Sequence, residues 1–367
     1  MRSEFWAWYP PTEDEQRLFA EQAMIAVDTN VLLGLYRSSS STADALLELL
    51  RRLDDRVWIP HHVAFEYQRG RLRVIAQQSG LLDALLHKVK ESQAALRQQL
   101  ESHGNDIERH PGLDVAETLQ WVEEAYSSLV NHIESKRNSV ISSVRAVSAT
   151  DHIHSTTTQL LDGHIGSPFT EEELKQLEDE GDQRFAEKKP PGYIDQDKRE
   201  NKYGDFIIWK EMIRQSKTAA RPLVFVTEEQ KADWWRKDGG LVAGPLPALR
   251  EEFRAEAGQL FWMYRVSQFM SLSETFTSKA IDAAAVEEIE ERLQLDQQAE
   301  RTFQLRQELL ERETLVAALH TSLEAITTSE ADQSLNADAK HQLRDRLDHE
   351  LDMIAALKTL LRSQGNA

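Results

Sequence analysis

Residues 24–37 read MIAVDTNVLLGLYR, and this stretch decides the class of fold. Its first four residues form a compact apolar run, which is typical of a strand buried on both faces in a parallel sheet. Asp28 follows that run directly, and an apolar helical pattern begins after it. Because an acidic residue at the end of a buried strand has few structural uses, Asp28 is the first candidate functional residue.

Further apolar runs extend this pattern along the first 250 residues. Residues 57–59 (VWI) and 222–226 (PLVFV) each have the character of a buried strand, and residues 241–242 (LV) suggest a short fourth strand. Helical patterns separate these runs. Alternating strands and helices predict an α/β fold with a central parallel sheet, whose functional sites lie at the carboxyl ends of the strands.

Two long regions have helical patterns. Residues from about 71 to 185 are too many for a simple crossover, and they predict a large helical insertion within the α/β domain. No proline follows Pro247, and leucines recur at helical spacing in residues 276–367, which predicts a C-terminal pair of antiparallel helices. A hairpin packed on the body and a dimerising coiled coil both fit this pattern. We therefore expect two parts, residues 1–275 and 276–367.

The composition limits the classes of function. The chain of 367 residues contains no cysteine and carries a formal net charge of -19. Without cysteine, disulfide scaffolds, thiolate zinc sites and cysteine nucleophiles are excluded, and a cytoplasmic location fits. The acidity argues against binding of nucleic acid over the whole surface. The sequence also shows neither an apolar run of membrane-spanning length nor the pattern of a signal peptide.

Acidic residues occur where the elements of such a sheet converge. Each lies at the end of a strand or near the start of a helix: Asp28, Glu66, Asp205 and Glu229. Any one of them has an ordinary explanation, such as a helix N-cap. Carboxylates that cluster repel one another, however, and hard divalent cations such as Mg²⁺ and Mn²⁺ neutralise them. A metal-dependent nuclease is the hypothesis that uses all four positions.

Six ordered segments carry a family resemblance. They are AVDTNVLLGLYR, VWIPHHVAFEYQRGR, GSPFTEEELKQLEDEGDQRFAEKKPPGYIDQDK, KYGDFIIWKEMI, PLVFVTEEQKADWW and GPLPALREEF followed by FWMY. In these segments the chain resembles the PIN-like domain nucleases, and specifically the subfamily with a long helical insertion before the third acidic residue. The resemblance covers roughly residues 1–275 and leaves the C-terminal helices outside.

This resemblance implies a three-layer α/β/α fold that binds Mg²⁺ or Mn²⁺ and cleaves single-stranded nucleic acid, most often RNA. It also suggests a role as a toxin or in phage defence. Asp28, Glu66 and Asp205 match the first three acidic residues of the family. The number of metal ions, one or two, stays open.

The remaining family positions lie just after the first and the third predicted strands, at residues 24–27 and 222–226. Asn30 matches the polar residue two positions after the first acid, and Thr227 matches the small hydroxyl that orients it. The usual spacing after that hydroxyl selects Glu229 as the fourth acid, where Asp is more familiar. Glu228 and Asp233 are the alternatives for this position.

Basic residues flank the expected ligands and predict a groove for a phosphate backbone. Arg69 and Arg71 follow the second acid on one helix, while Lys198 and Lys202 precede the third acid. Solvated helix surface explains the two arginines equally well. Asp195, in the same loop as the lysines, is either a further metal ligand or part of an ordered surface loop.

Two other functions remain as alternatives. The first is a catalytically weak PIN-like interaction module, which the acidity, the Glu at the fourth acidic position and the C-terminal helices favour; those helices suit a protein partner or a homo-oligomer. The second is a nuclease directed at DNA. A haloacid-dehalogenase phosphatase is disfavoured, because it needs an Asp two residues after the first acid and this chain has Asn30 there.

Overall fold

The computed structural model describes residues 1–102, 114–145, 151–198, 200–238, 241–328 and 333–365. The chain divides into two compact units, Met1–Ile289 and Glu290–Ala367, which we call the N-terminal unit and the C-terminal unit. Within the described residues, no helix has both the length and the apolar character needed to cross a membrane.

A parallel sheet forms the centre of the N-terminal unit. Across the described ranges its strands lie in the order β2 (Val57–Trp58), β1 (Met24–Val27), β3 (Leu223–Thr227) and β6 (Phe261–Arg265). Ile25 of β1 pairs with Val57 on one side and with Val224 on the other. Every residue of β1 and β3 is buried, as expected for strands covered on both faces. Because all neighbours are parallel, the carboxyl ends of the strands share one edge.

The fourth strand of the central sheet differs from the one that the sequence suggests. Residues 241–242 do begin a strand, β5 (Leu241–Pro245), but it pairs antiparallel with β4 (Trp235–Asp238) in a separate two-stranded sheet. Leu241 is 76 % exposed, so it is not a core residue. The edge position of the central sheet belongs to β6, which pairs with β3.

Helices account for most of the N-terminal unit. Their bounds are α1 (Glu13–Gln22), α2 (Thr29–Gly34), α3 (Ser40–Leu53), α4 (His61–Ser102), α5 (Val115–Arg145), α6 (His152–Leu161), α7 (Glu171–Ala186), α8 (Gly204–Ala219), α9 (Pro247–Ala257), α10 (Val266–Ser271) and α11 (Ser273–Thr277). Short apolar strands separated by these helices produce the mixed α/β character that the sequence predicts.

Aromatic side chains attach a helical layer to each face of the sheet. On one face, the ring of Phe261 lies 5.0 Å from Trp209 of α8 and 4.9 Å from Phe253 of α9. On the other face, the ring of Tyr264 lies 6.1 Å from Phe276 of α11. Successive strand residues point to opposite faces, so Phe261 and Tyr264 define two sides of the same strand. The fold is therefore a three-layer α/β/α arrangement.

Helices α4 and α5 form a long antiparallel pair between β2 and β3, where the sequence predicts a helical insertion. Lys90 pairs with Glu134 at 3.4 Å, and Arg97 pairs with Glu123 at 2.9 Å. These residues are exposed, so each pair contributes little to stability. The residue numbers rise along α4 while those of the partners fall along α5, which shows that the two helices run antiparallel.

The C-terminal unit contains the predicted helical hairpin. It comprises the greater part of α12 (Ala283–Thr328) together with α13 (Gln333–Gly365). Arg312 pairs with Glu350 at 2.7 Å, and Lys358 pairs with Glu313 at 2.8 Å. Both helices also carry buried leucine and isoleucine side chains, including Leu319, Leu347 and Ile354.

Candidate active site

Asp28 lies at the shared carboxyl edge of the central sheet, and two strands hold it in place. It directly follows β1, and its Oδ1 accepts a hydrogen bond of 2.7 Å from the backbone N–H of Thr29, at the start of α2. Its Oδ2 accepts a hydrogen bond of 2.5 Å from the hydroxyl of Thr227, the last residue of β3. Asp28 is only 9 % exposed. The start of α2 therefore orients one oxygen of Asp28, and the end of β3 orients the other.

The hydroxyl of Thr227 also organises the loop that follows β3. It accepts hydrogen bonds from the side-chain amide of Asn30 at 3.2 Å and from the backbone N–H of Glu229 at 2.8 Å. The amide oxygen of Asn30 in turn accepts a hydrogen bond of 2.9 Å from the N–H of Glu228. Asn30 and Thr227 thus connect the segment after β1 to the segment after β3.

Glu66 reaches the same edge from the second turn of α4. Its carboxylate accepts hydrogen bonds from the hydroxyl of Thr29 and from the side-chain amide of Asn201, and the ring of His62 lies 3.5 Å away. Burial alone raises the pKa of Glu66, but the hydrogen bonds from these three groups outweigh that effect and leave the pKa below its usual value. Glu66 is therefore held as a charged carboxylate.

Asn201 owes its position to the backbone around it. It adopts a left-handed conformation, with φ of 56°, which Asn tolerates better than most residues. A Cβ atom on Gly204 would overlap the side chain of Asn201, so the glycine makes room for it. The same glycine begins α8 and places Asp205 in its first turn. The segment NKYGD therefore contains Asp205, and its Asn201 donates a hydrogen bond to Glu66.

A lysine that the sequence analysis did not single out lies among three of the acids. The Nζ of Lys231 lies 2.9 Å from Asp195, 2.9 Å from Glu229 and 3.1 Å from Asp205. Burial alone lowers the pKa of this lysine, but the charges of Asp205 and Glu229 outweigh it and raise the pKa above its ordinary value. Lys231 is thus a permanent internal cation. Its signal in the sequence is that it is the one basic residue in the segment TEEQKAD.

The pKa values of two aspartates reflect the crowding of charge. The pKa of Asp28 is raised to about 8, chiefly by burial and in addition by the negative charges of three other acids, although the hydrogen bond from Thr227 opposes the change; the three acids are Asp205, Glu66 and Glu229. Burial also raises the pKa of Asp205, to about 6, although Lys231 opposes the change. The structure therefore brings the four acids of the sequence analysis close enough to interact electrostatically.

The chemistry of these donors suits a divalent cation, but their present arrangement does not form a finished metal site. Among the residues that the structure describes, no three His, Asp or Glu side chains are placed so that they could hold a metal ion together. Their oxygens are engaged instead by Lys231 and by hydrogen bonds from Thr29 and Asn201. Carboxylate oxygens are the ligands that Mg²⁺ and Mn²⁺ prefer. The cluster therefore matches such an ion in the chemistry of its donors.

Asp233 lies next to the cluster but has a different contact pattern. It is fully buried, and its Oδ2 accepts hydrogen bonds from the backbone N–H groups of Gly192 at 2.8 Å and Ile194 at 3.3 Å. These bonds fix the turn of 3-10 helix that carries Asp195. Asp233 therefore stabilises the loop that carries Asp195. Among the candidates for the fourth acid, Glu229 has a carboxylate that contacts the central lysine.

The two arginines of α4 have different environments. Arg69 pairs with Glu200 at 3.1 Å, and both side chains are more than half exposed. Arg71 pairs with Asp151 at 3.0 Å, and each of these side chains is only 11 % exposed. Arg69 is therefore accessible to a nucleic-acid strand, whereas Arg71 lies inside the fold and neutralises an acid there.

The two lysines before α8 both pair with acidic residues. Lys198 lies 2.6 Å from Asp195, and its side chain is 53 % exposed. Lys202 lies 2.5 Å from Asp182, and its side chain is 30 % exposed. Asp195 thus pairs with two lysines, one at the surface and one, Lys231, inside the cluster.

Comparison with known proteins identifies a family. The family described as PIN like domain matches residues 24–249, which is more than half of the chain. No curated protein and no solved structure matches it. The matched range begins with β1, ends within α9 and contains every acidic residue of the cluster. The chain therefore belongs to the PIN-like domain family, whose fold is of the nuclease type.

Proposed function

We propose that this chain is a metal-dependent nuclease that hydrolyses phosphodiester bonds in single-stranded RNA. The observation that carries the proposal is the cluster of acids at the carboxyl edge of the sheet: Asp28, Glu66, Asp205 and Glu229. Carboxylates that are buried close together at such an edge lower the stability of the fold unless a cation binds to them. In a chain of the PIN-like family, the use that fits best is the binding of Mg²⁺ or Mn²⁺.

In this proposal Asp28, Glu66 and Asp205 would hold the ion, and Glu229 is the fourth acid of the catalytic set. A bound ion supplies an activated water and stabilises the leaving oxygen in phosphodiester hydrolysis. Thr227 and Asn30 orient Asp28 and the loop that carries Glu229. No side chain acts as a nucleophile.

Lys231 leads us to propose one metal ion per site. Its ammonium already pairs with Asp205, Glu229 and Asp195, so it occupies the part of the cluster that a second cation would need. Asp195, a possible extra ligand, is then a partner of lysine instead. An ammonium group also donates hydrogen bonds readily to phosphate oxygens. Lys231 thus replaces part of the charge of a second ion.

Accessible basic residues near the acids would guide the nucleic-acid backbone. Lys198 and Arg69 are more than half exposed, and Lys202 is partly exposed. Arg71 is a weaker candidate because it pairs with Asp151 in the interior. The preference for RNA over DNA and a role as a toxin or in phage defence rest on the family resemblance.

A second candidate function is a catalytically weak interaction module. It is favoured by the ion pairs of Lys231 with three of the acids and by the lack, within the described ranges, of side chains set to hold a metal. The helical hairpin of the C-terminal unit would then bind a protein partner or a second copy of the chain. The two candidates make opposite predictions for purified protein.

The test is cleavage of labelled oligonucleotides by the purified full-length chain. Single-stranded RNA is expected to be cut with Mn²⁺ or Mg²⁺ and to stay intact with EDTA. Asp28→Asn and Asp205→Asn are expected to lower the rate by about a hundredfold or more, because each removes a charged donor of the cluster. Asp14→Asn, on the surface of α1, is the matched control and is expected to cut normally.

Three outcomes would change the proposal. Failure to cut RNA or DNA with any divalent metal would favour the interaction module. Cleavage of DNA alone would identify a DNA-directed nuclease. Normal cleavage by both cluster variants would show that the catalytic acids lie elsewhere.

A further inference from the structure

A cavity of about 610 Å³ opens beside the acid cluster. Its wall includes His62 and Asn201, and both of these residues also contact the carboxylate of Glu66. The two side chains contact each other at 2.9 Å, so they form one continuous partition. A ligand in this cavity would therefore lie directly next to the proposed site of hydrolysis.

Aromatic rings line this cavity. Phe65 precedes Glu66 on α4, and half of its surface (51 %) is exposed although the ring is large and apolar. Phe169, from the loop before α7, forms part of the same wall, and Arg214 stacks on its ring at 3.8 Å. Exposed rings beside a polar site are the platforms on which unpaired nucleic-acid bases stack.

The polar groups of the cavity complement a nucleotide. Lys198 and Lys202 lie on its wall and provide positive charge for a phosphate group. Glu178 and Glu211 also line it, and carboxylates accept hydrogen bonds from the exocyclic amines of bases. A volume near 600 Å³ lies within the usual range for small-molecule sites. The cavity thus combines stacking surfaces, cations and acceptors in a space that admits a base with its sugar.

We propose that this cavity binds the nucleobase of a nucleotide next to the bond that is cut. The inference rests on the proposed function, because it assigns a subsite to the same strand. The base leaves its stack and lies against Phe65, while its backbone phosphate faces Lys198. Bases within a duplex are paired and stacked, so they do not enter the cavity. The cavity therefore selects single strands.

The test measures binding separately from cleavage. A fluorescein-labelled single-stranded RNA of about ten nucleotides is titrated in EDTA with the full-length chain, with Phe65→Ala and with Phe65→Trp. Phe65→Ala is expected to weaken binding about fivefold to a hundredfold, in line with the loss of one stacked base, and Phe65→Trp is expected to restore it. Phe5→Ala, at a ring that is also 51 % exposed, is the matched control and is expected to bind normally.

A second readout reports the stacking itself. A series of RNAs carries 2-aminopurine at successive positions, and one position is expected to lose fluorescence with the wild type and not with Phe65→Ala. Because Phe65 is half exposed, both variants at this position are expected to melt like the wild type. A duplex of the same sequence is expected to bind at least about tenfold more weakly than the single strand.

The outcomes separate this inference from the proposed function. If the wild type cuts RNA while Phe65→Ala binds as tightly and quenches as strongly as the wild type, the base subsite is wrong and the nuclease stands. If the wild type binds and quenches the RNA as expected but never cuts it, the subsite stands and the nuclease is wrong. If the wild type binds no RNA in EDTA, the subsite is wrong, and the nuclease is wrong as well if RNA also stays uncut with Mn²⁺ and Mg²⁺.

Discussion

The ammonium of Lys231 lies 3.1 Å from the carboxylate of Asp205, the acid in the first turn of α8. The same ammonium lies 2.9 Å from Asp195 and from Glu229, which belong to two other segments. One side-chain cation therefore joins the segment after β3 to the loop that carries Asp195 and to the start of α8, which lie 36 and 26 positions earlier in the chain. This arrangement determines how much negative charge is left for ions from solution.

The first prediction concerns the number of metal ions. Lys231→Met keeps the length of the side chain and removes its charge. We expect the wild type to bind one Mn²⁺ and the variant to bind two, because three carboxylates lose their partner. Isothermal titration calorimetry and native mass spectrometry measure this number directly. Lys217→Met, at an exposed position near the end of α8, is the control and is expected to bind one ion.

Without metal, Lys231→Met is also expected to lose about 3–5 kcal/mol of stability, since carboxylates that are largely buried are left without a counter-charge. Added Mn²⁺ is expected to restore most of this loss, which denaturation curves with and without the ion would reveal. One bound ion in both proteins would disprove the role of the lysine as a substitute for a second metal.

The second prediction concerns Asp28 and pH. Its pKa is raised from 3.8 to about 8, chiefly by burial, so the folded chain holds this proton more tightly than the unfolded chain does. The stabilisation is complete below about pH 4 and is lost as the pH rises toward 8. Asp28→Asn stays neutral and avoids this loss.

In EDTA, Asp28→Asn is therefore expected to be more stable than the wild type by roughly 1–3 kcal/mol at pH 8, with a smaller difference at about pH 5. Urea denaturation at both pH values is the measurement, and Asp14→Asn is the exposed control. A variant that is less stable than the wild type at pH 8 would show that the charge of Asp28 is not costly in the folded chain.

The third prediction concerns acid stability. Glu252 pairs with Arg184 at 2.5 Å and with Lys189 at 3.1 Å, and its side chain is 9 % exposed. Burial alone raises its pKa, but these two cations outweigh burial and lower the pKa to about 2. Its stabilisation is present above about pH 4.5 and is lost as the pH falls toward 2.

Glu252→Gln is expected to cost about 3 kcal/mol near pH 7, because the buried Arg184 loses its charged partner. The difference from the wild type is expected to shrink below about pH 4.5, and denaturation at a series of pH values would follow it. Glu251→Gln changes the exposed neighbour and serves as the control. A cost that does not depend on pH would mean that packing, and not charge, explains it.

The fourth prediction concerns the start of α3. Glu288 accepts hydrogen bonds from the N–H of Ser39 at 2.6 Å and from the hydroxyl of Thr42 at 2.6 Å. The hydroxyl of Ser39 also donates to Glu288, at 2.5 Å. Glu288→Ala is expected to cost about 1–2 kcal/mol, since a helix N-terminus loses these hydrogen bonds and a favourable negative charge. Thermal unfolding would measure it, with the exposed Glu287→Ala as control. Equal melting of the two variants would contradict the capping role.

The sequence predicts β1, β2 and β3 of the central sheet but misses the edge strand β6. The runs that contain β1 and β3 are apolar throughout, because these strands are covered on both faces and flanked on both sides. The edge strand β6 ends in Tyr264 and Arg265, which are partly exposed, so its pattern is less distinctive. Residues 241–242 are too few to reveal which sheet they join.

The candidate site, like the sheet, can be predicted from the sequence only in part. Parallel strands bring their carboxyl ends together, so the acids that follow β1 and β3 can be expected to meet. The positions of basic residues depend instead on partners far along the chain. Arg71 reaches Asp151, 80 residues away, and Lys231 reaches Asp195, 36 residues away. From sequence alone, a lysine or an arginine is expected at the surface. Only the three-dimensional structure shows that Arg71 and Lys231 are largely buried.

The hydrogen bond from Thr227 to Asp28 joins residues that are 199 positions apart. During synthesis, Asp28 leaves the ribosome long before the strand that orients it exists. A growing chain that ends anywhere in the helical insertion lacks Asp205, Glu229 and Lys231. Under the proposed function, the nascent chain therefore cannot cut its own messenger until β3 and the segment after it have emerged, and a product that ends earlier carries no complete site.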